Sequence, residues 1–172
     1  MPETIEQYKK RILSYTKSLD GALKVQKDTA KKIERLIKKV PKRKLMTRPG
    51  PGKWSVGEVL AHLAEGEMVG GYRLRMILSR NGTPIQAFDQ DVWARNSDYA
   101  RQDPEKSLRL FRALRESNLA LLKSLPPKMW KYYGLHAERG KETIADVARM
   151  YAGHDVNHLA QIQSIIKTNG RG

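Results

Sequence analysis

Cysteine is absent from this sequence, which removes disulfide scaffolds, thiolate zinc sites and cysteine nucleophiles together. A metal site here has to be built from histidine and oxygen donors. Apolar runs approaching 18 residues are missing, and so is the apolar stretch of a secretory signal after Met1. The expectation is a soluble, intracellular, cytoplasmic protein with no membrane partner. Aromatic residues make up only 7% of the chain, with two phenylalanines, so the core has to be largely aliphatic. No convincing run alternates apolar and polar residues as a strand would, and no segment repeats. RNP, KH, zinc-finger and homeodomain patterns are missing as well.

Positive charge, in contrast, is plentiful. The 172 residues hold 33 Lys+Arg against 18 Asp+Glu, a formal net charge of +15. Such an excess invites a nucleic-acid partner, because basic surfaces release counterions from phosphate backbones. Its distribution argues otherwise. Residues 1–53 carry 16 basic and 5 acidic residues, net +11, and the rest of the chain only +4. Lys31-Lys32, Lys38-Lys39 and Lys42-Arg43-Lys44 lie on or just after an amphipathic helix, where a solvated face explains them. With 40% hydrophobic and 30% charged residues, the composition is that of one globular domain spanning 1–172.

Helical periodicity dominates the pattern. Ile5, Tyr8, Ile12, Tyr15 and Leu19 step by three and four along one face, and Asp20-Gly21 reads as a stop or a cap. A second helix turns Leu23, Ala30, Ile33, Leu36, Ile37 and Val40 inward and ends at Pro41, with 41–53 read as a loop. Ser55-Val56-Gly57-Glu58 is a capping-box signature opening a third helix. Its inward set includes Val59, Leu60, Leu63, Met68, Val69, Tyr72, Leu74, Met76 and Ile77. Residues 80–103 read as a long connection holding one short helical turn, of a kind uncommon unless it crosses a bundle end or lines a site. Asp103-Pro104-Glu105 opens a fourth helix with Leu108, Leu110, Phe111 and Leu114 inward. After Pro126-Pro127 come a turn at Met129-Trp130 and a polar loop, 134–141. The last helix starts at Glu142 or Thr143. The pattern predicts an all-α bundle with one long crossover connection and an extra N-terminal helical extension, 1–20.

Four histidines are present. His154 and His158 are four apart on the last helix, so both imidazoles share one face about a turn apart and could share an ion. His62 sits in the apolar stripe of the third helix. Burying three imidazoles is costly unless each has a partner, and one cation would partner all three. Satisfied core or interface histidines are the competing reading. A three-histidine site leaves coordination positions open, as catalytic zinc does, and the ion can acidify a water. Glu58 and Glu65, a turn either side of His62, and Gln161, seven residues after His154, are candidates to support the ligands. Glu65 and Asp155 are candidate bases. His136, in His136-Ala137-Glu138-Arg139-Gly140, reads better as a loop anchor bonded to backbone than as a site residue. Trp93 and Trp130 are candidate pocket walls, with core packing the simpler role for each.

The segment from Gly52-Lys53-Trp54-Ser55 through Glu58, His62 and Glu65 resembles the first signature of the DinB/YfiT-like superfamily. His136-Ala137-Glu138-Arg139-Gly140, with Gly153-His154-Asp155-Val156-Asn157-His158-Leu159-Ala160-Gln161-Ile162, resembles its second. Ala87-Phe88-Asp89-Gln90-Asp91-Val92-Trp93 is similar to a segment that recurs in one branch. The resemblance implies a DinB-like four-helix-bundle metalloenzyme, bacterial and stress-related. It implies a divalent metal ion, zinc or nickel, on His62, His154 and His158. It also implies a small-molecule substrate, since relatives include hydrolases and low-molecular-weight-thiol S-transferases or isomerases. Three function classes follow. The first is a metal-dependent hydrolase or thiol transferase. The second is a non-catalytic metal- or ligand-binding bundle, such as a homodimerisation module. The weakest is a nucleic-acid-associated basic protein.

Overall fold

The computed structural model describes residues 3–170. Its helices are α1 (Ile5–Ser14), α2 (Leu19–Ile37), α3 (Lys42–Met46), α4 (Val56–Ser79), α5 (Gln90–Asn96), α6 (Pro104–Lys123) and α7 (Ile144–Gly170). Three short strands accompany them, β1 (Thr83–Ile85), β2 (Tyr133–His136) and β3 (Gly140–Thr143). The long helices α2, α4, α6 and α7 form a four-helix bundle in which α2 and α4 each pack against both α6 and α7. Among the described residues, no helix is long and apolar enough to cross a membrane.

Local chemistry fixes where the helices begin. Ser55 accepts the Glu58 N–H and the Glu58 carboxylate accepts the Ser55 N–H, so the expected capping box opens α4. Asp103 accepts the N–H groups of Glu105 and Lys106, with Pro104 at the first helical position of α6. At α7, Thr143 and Asp146 cap each other reciprocally. Helix α1 ends at Ser14 with Tyr15 as its C-cap, and Ser18 caps α2 by accepting the Gly21 N–H. Asp20-Gly21 therefore lies inside α2 instead of interrupting the helix.

The sequence pattern misses three further features. The 41–53 loop contains α3, and the 80–103 connection holds, beyond the one helical turn expected there, β1 and a second turn: α5 is followed by a 3-10 turn at Tyr99–Arg101. The polar 134–141 segment is a hairpin, β2 antiparallel to β3, and β1 joins β2 in parallel to give the order β1-β2-β3. Strands of three or four residues are too short for alternation to stand out. Met68, Tyr72 and Leu110, expected inward, are exposed, as is Tyr15. On α4, positions 68 and 72 share a face with exposed Arg75 that the packed helices leave uncovered.

Two aliphatic clusters fill the bundle. One gathers Ile33, Leu60, Leu63, Phe111 and Ile162, and the other Leu74, Ile77, Leu122, Ile144 and Val147. A buried polar group also lies within the bundle. Arg115 of α6 donates to both Asp155 oxygens of α7, at 2.5 and 3.0 Å, and to the Gln26 carbonyl of α2 at 3.0 Å. It also lies 2.7 Å from the Glu67 carboxylate of α4. Asn118 donates to the Glu67 carboxylate and carbonyl, and Gln26 to the Ala148 carbonyl. From α6, one guanidinium thus touches each of the other three bundle helices. Although burial works against its charge, Asp155 and Glu67 hold the guanidinium above its ordinary pKa.

Removing one partner of a buried ion pair strands the other charge and costs about 3–5 kcal/mol. Arg115→Met should lower the unfolding free energy by about that much in urea titration. Arg115→Lys, which keeps the charge but loses the fork, should fall between it and the parent. Arg112→Ala, removing an exposed pair with Glu34, should cost less than about 1 kcal/mol.

Candidate metal centre

His62 lies in the part of α4 that is buried on every side, and His154 and His158 lie a turn apart on α7, which packs against α4. The three imidazoles converge. His62 Nε2 is 2.9 Å from His154 Nε2, which is 3.0 Å from His158 Nε2. One ring nitrogen from each residue lies within 4.8 Å of the other two. With metal–nitrogen bonds of about 2.0–2.1 Å, donors around one ion sit roughly 2.9–3.4 Å apart. The His62–His154 and His154–His158 separations both fall in that range.

The surroundings fix the rings. Gln161 Oε1 lies 2.7 Å from His158 Nδ1; a carbonyl oxygen only accepts, so Nδ1 carries the proton and Nε2 presents its lone pair to the trio. The indole of Trp54 packs on His62 with ring centroids 5.1 Å apart. Trp54 in turn meets the edge of Tyr99, whose hydroxyl donates to Glu65 at 2.6 Å. The long connection therefore buttresses His62 through Tyr99 and Trp54. His62 and His158 are 4% and 8% exposed, and His154 is half-buried.

The trio borders a pocket of about 470 Å³. Its mouth takes Ile5 and Tyr8 from α1, Phe88 from the long connection and Arg139 from the hairpin. The long connection and the hairpin thus both line the pocket, and α1 joins them.

Other predicted site residues stand elsewhere. Asp155, expected as a base, is fully buried against Arg115 and holds the bundle together. Glu58, expected to support the ligands, is committed to the Ser55 cap and to Arg48. Glu65 accepts the Tyr99 hydroxyl. His136 lies on β2, where its Nδ1 accepts the N–H groups of Glu138 and Arg139 and so anchors the hairpin turn. Trp93 stacks on Phe88, and of the pair Phe88 lines the pocket. Trp130 packs against the second aliphatic cluster. Sequence reasoning passed over Trp54, Arg73 and Tyr151; an aromatic eight residues before His62 and an arginine inside an apolar stripe were the available signals.

Burial pushes the imidazoles toward their neutral form: His62 to about 3, His158 to about 4, and His154 well below its ordinary value. Neutral imidazoles are the form that binds metal. Unfolded histidines titrate near about 6.5, so between there and about 4 the unfolded chain binds more protons than the folded one. The stability of chelator-treated protein should therefore be complete above about pH 6.5 and fall as pH drops toward 4. His62→Gln should flatten that slope in thermal melts taken across the window.

The chain is similar to proteins named as metal-dependent hydrolases. A 34% identical sequence from Oceanobacillus iheyensis, named "Putative metal-dependent hydrolase OB0782", matches over 67% of this chain and 67% of its own length. YfiT of Bacillus subtilis, named in the same terms, is 26% identical over 96% of this chain and 94% of its own. The solved structure of YfiT, a four-helix bundle of unusual topology, superposes with a TM-score of 0.81 at 25% identity, over 88% of this chain and 87% of that one. The mycothiol-dependent maleylpyruvate isomerase shares the fold at 12% identity, with a TM-score of 0.69 over 84% of this chain and 60% of that one. Residues 27–162, which include all three converging histidines, match the model of the DinB superfamily, and the chain belongs to that superfamily.

Proposed function

We propose that the chain is a metal-dependent enzyme acting on a small molecule, either a hydrolase or a low-molecular-weight-thiol S-transferase. His62, His154 and His158 would hold a divalent cation, zinc or nickel. The observation that carries this reading is the convergence of three neutral imidazole nitrogens on the wall of an open pocket. A closed structural site would surround its ion with four protein donors, whereas three donors beside a pocket leave room for a reactant. The metal-dependent hydrolase names of the relatives support the same class, and the mycothiol-dependent neighbour keeps thiol chemistry in view.

When bound, the cation supplies Lewis acidity toward a water, thiol or carbonyl group. The chain supplies the rest. Gln161 fixes the His158 tautomer, and Trp54 sets the plane of His62. Tyr151 donates its hydrogen to the Gly66 carbonyl, and burial pushes its phenol up to about 12, so it stays protonated at neutral pH and shapes the wall.

Elemental analysis of purified protein should find close to one zinc or nickel per chain, and His154→Ala should remove it. Gln161→Leu should weaken metal affinity about 10–100-fold. A metal content that His154→Ala leaves unchanged would overturn the assignment. If His158→Ala lowers the melting temperature and no hydrolytic or thiol-transfer turnover is ever lost, the ion is structural.

A further inference from the structure

Arg73 stands apart from Arg139, the other arginine that lines the pocket. It is 7% exposed and lines the same cavity as the histidines. Among the described residues no carboxylate lies within ion-pairing distance of it, whereas Arg139, also on the pocket, is held by Glu142 at 2.7 and 3.0 Å. One Arg73 nitrogen, Nη2, donates to the Gln86 carbonyl at 2.8 Å, and the guanidinium lies 5.6 Å from the Phe88 ring centre. Nη2–Gln86 is its one hydrogen bond of good geometry among the described residues, the Tyr151 hydroxyl and the Glu142 carboxylate lie near enough to favour its charge, and neither Nε nor Nη1 is among the fully buried orphaned atoms. They are therefore free to meet a molecule in the pocket. A guanidinium is permanently charged and forks to match a carboxylate, and a buried charge without a counter-charge is costly. The fold keeps this cation unpaired at the pocket wall.

Its position relative to the histidines sets the shape of what would bind. Arg73 is 11 residues after His62, which places it on the same face of α4, rotated by about 20° and about 16 Å further along the axis. Gly66 lies between them on the floor, where a Cβ would come within 3.9 Å of the His154 ring. Gly70 is covered by the Tyr151 ring. Phe88, Met150 and Tyr8 give the walls apolar surface. We infer that the pocket takes an elongated organic carboxylate, its carboxylate paired with Arg73, its apolar body along the α4 floor and its reacting group at the three histidines. The last clause rests on the function proposed above; the Arg73 carboxylate site stands without it.

The test uses the series acetate, butyrate, hexanoate and 3-phenylpropionate, with the methyl ester of 3-phenylpropionate as the uncharged control. Binding is followed by calorimetry or amide NMR shifts on the protein as purified, after chelator treatment, and in His154→Ala. Affinity should rise along the series, and the ester should bind at least 10-fold more weakly than the acid. Both results should persist in chelated protein and in His154→Ala, which separates them from carboxylate ligation by a metal. Arg73→Gln should remove the preference for acid over ester, and Arg73→Lys should retain part of it. Equal binding of acid and ester, or no binding of any acid up to about 10 mM, would overturn the inference even if Arg73→Gln fails to fold. So would an unchanged acid preference in a folded Arg73→Gln. Absence of metal from the protein would overturn the metal reading and leave this one intact.

Discussion

The bundle depends on one side chain more than on any other. Arg115 sits where α2, α4, α6 and α7 meet, and it touches a group on each of the other three. Hydrophobic burial brings helices together without dictating how far one slides along the next. A bidentate guanidinium does dictate it, since its donors reach their acceptors at one register only. Asp155 follows His154 in sequence, and Glu67 is five residues beyond His62. The contact that locks the helices is thus made within two turns of each histidine-bearing segment, and the spacing of the imidazoles inherits that precision.

Apolar packing supplies cohesion around this lock. One cluster draws on the N-terminal half of α4 and the C-terminal half of α7, and the other on the opposite halves. This is the arrangement expected of antiparallel neighbours. The small sheet adds a second tie between the same two helices. β1 begins four residues after α4 ends, β3 runs directly into α7, and β2 pairs with both. The helices that carry the histidines are thereby joined at one end by backbone hydrogen bonds and further along by the buried arginine.

Much of this was legible in the residues, for reasons that can be stated. Periodicity located the long helices because each buries one broad stripe, and caps at Ser55, Asp103 and Thr143 marked their starts through local hydrogen bonds. The i, i+4 histidine pair and a histidine inside an apolar stripe were visible for the same reason. What stayed hidden depends on contacts between distant segments. Arg115, 40 residues from Asp155, leaves no mark on the local pattern, so Asp155 looked free to act as a base when it is bound into the bundle. Glu58 lies on the same helix face as His62 but turns back to its own cap. Met68 and Tyr72 fit an inward stripe, yet only the assembled bundle decides which flank of a stripe is covered.

The contact of α1 with the bundle carries a further consequence. A Cβ at Gly153 would come within 2.1 Å of the Ile12 carbonyl, so α1 rests on the bare backbone of the residue just before His154. The same helix supplies Ile5 and Tyr8 to the rim of the pocket. Doorway and ligand are thus mounted on adjacent residues of one helix but on different sides of it. Any side chain at position 153 would push α1 away from α7, while the His154 imidazole beside it faces the pocket and not α1. The width of the opening is therefore adjustable by a change that never touches the chemistry behind it.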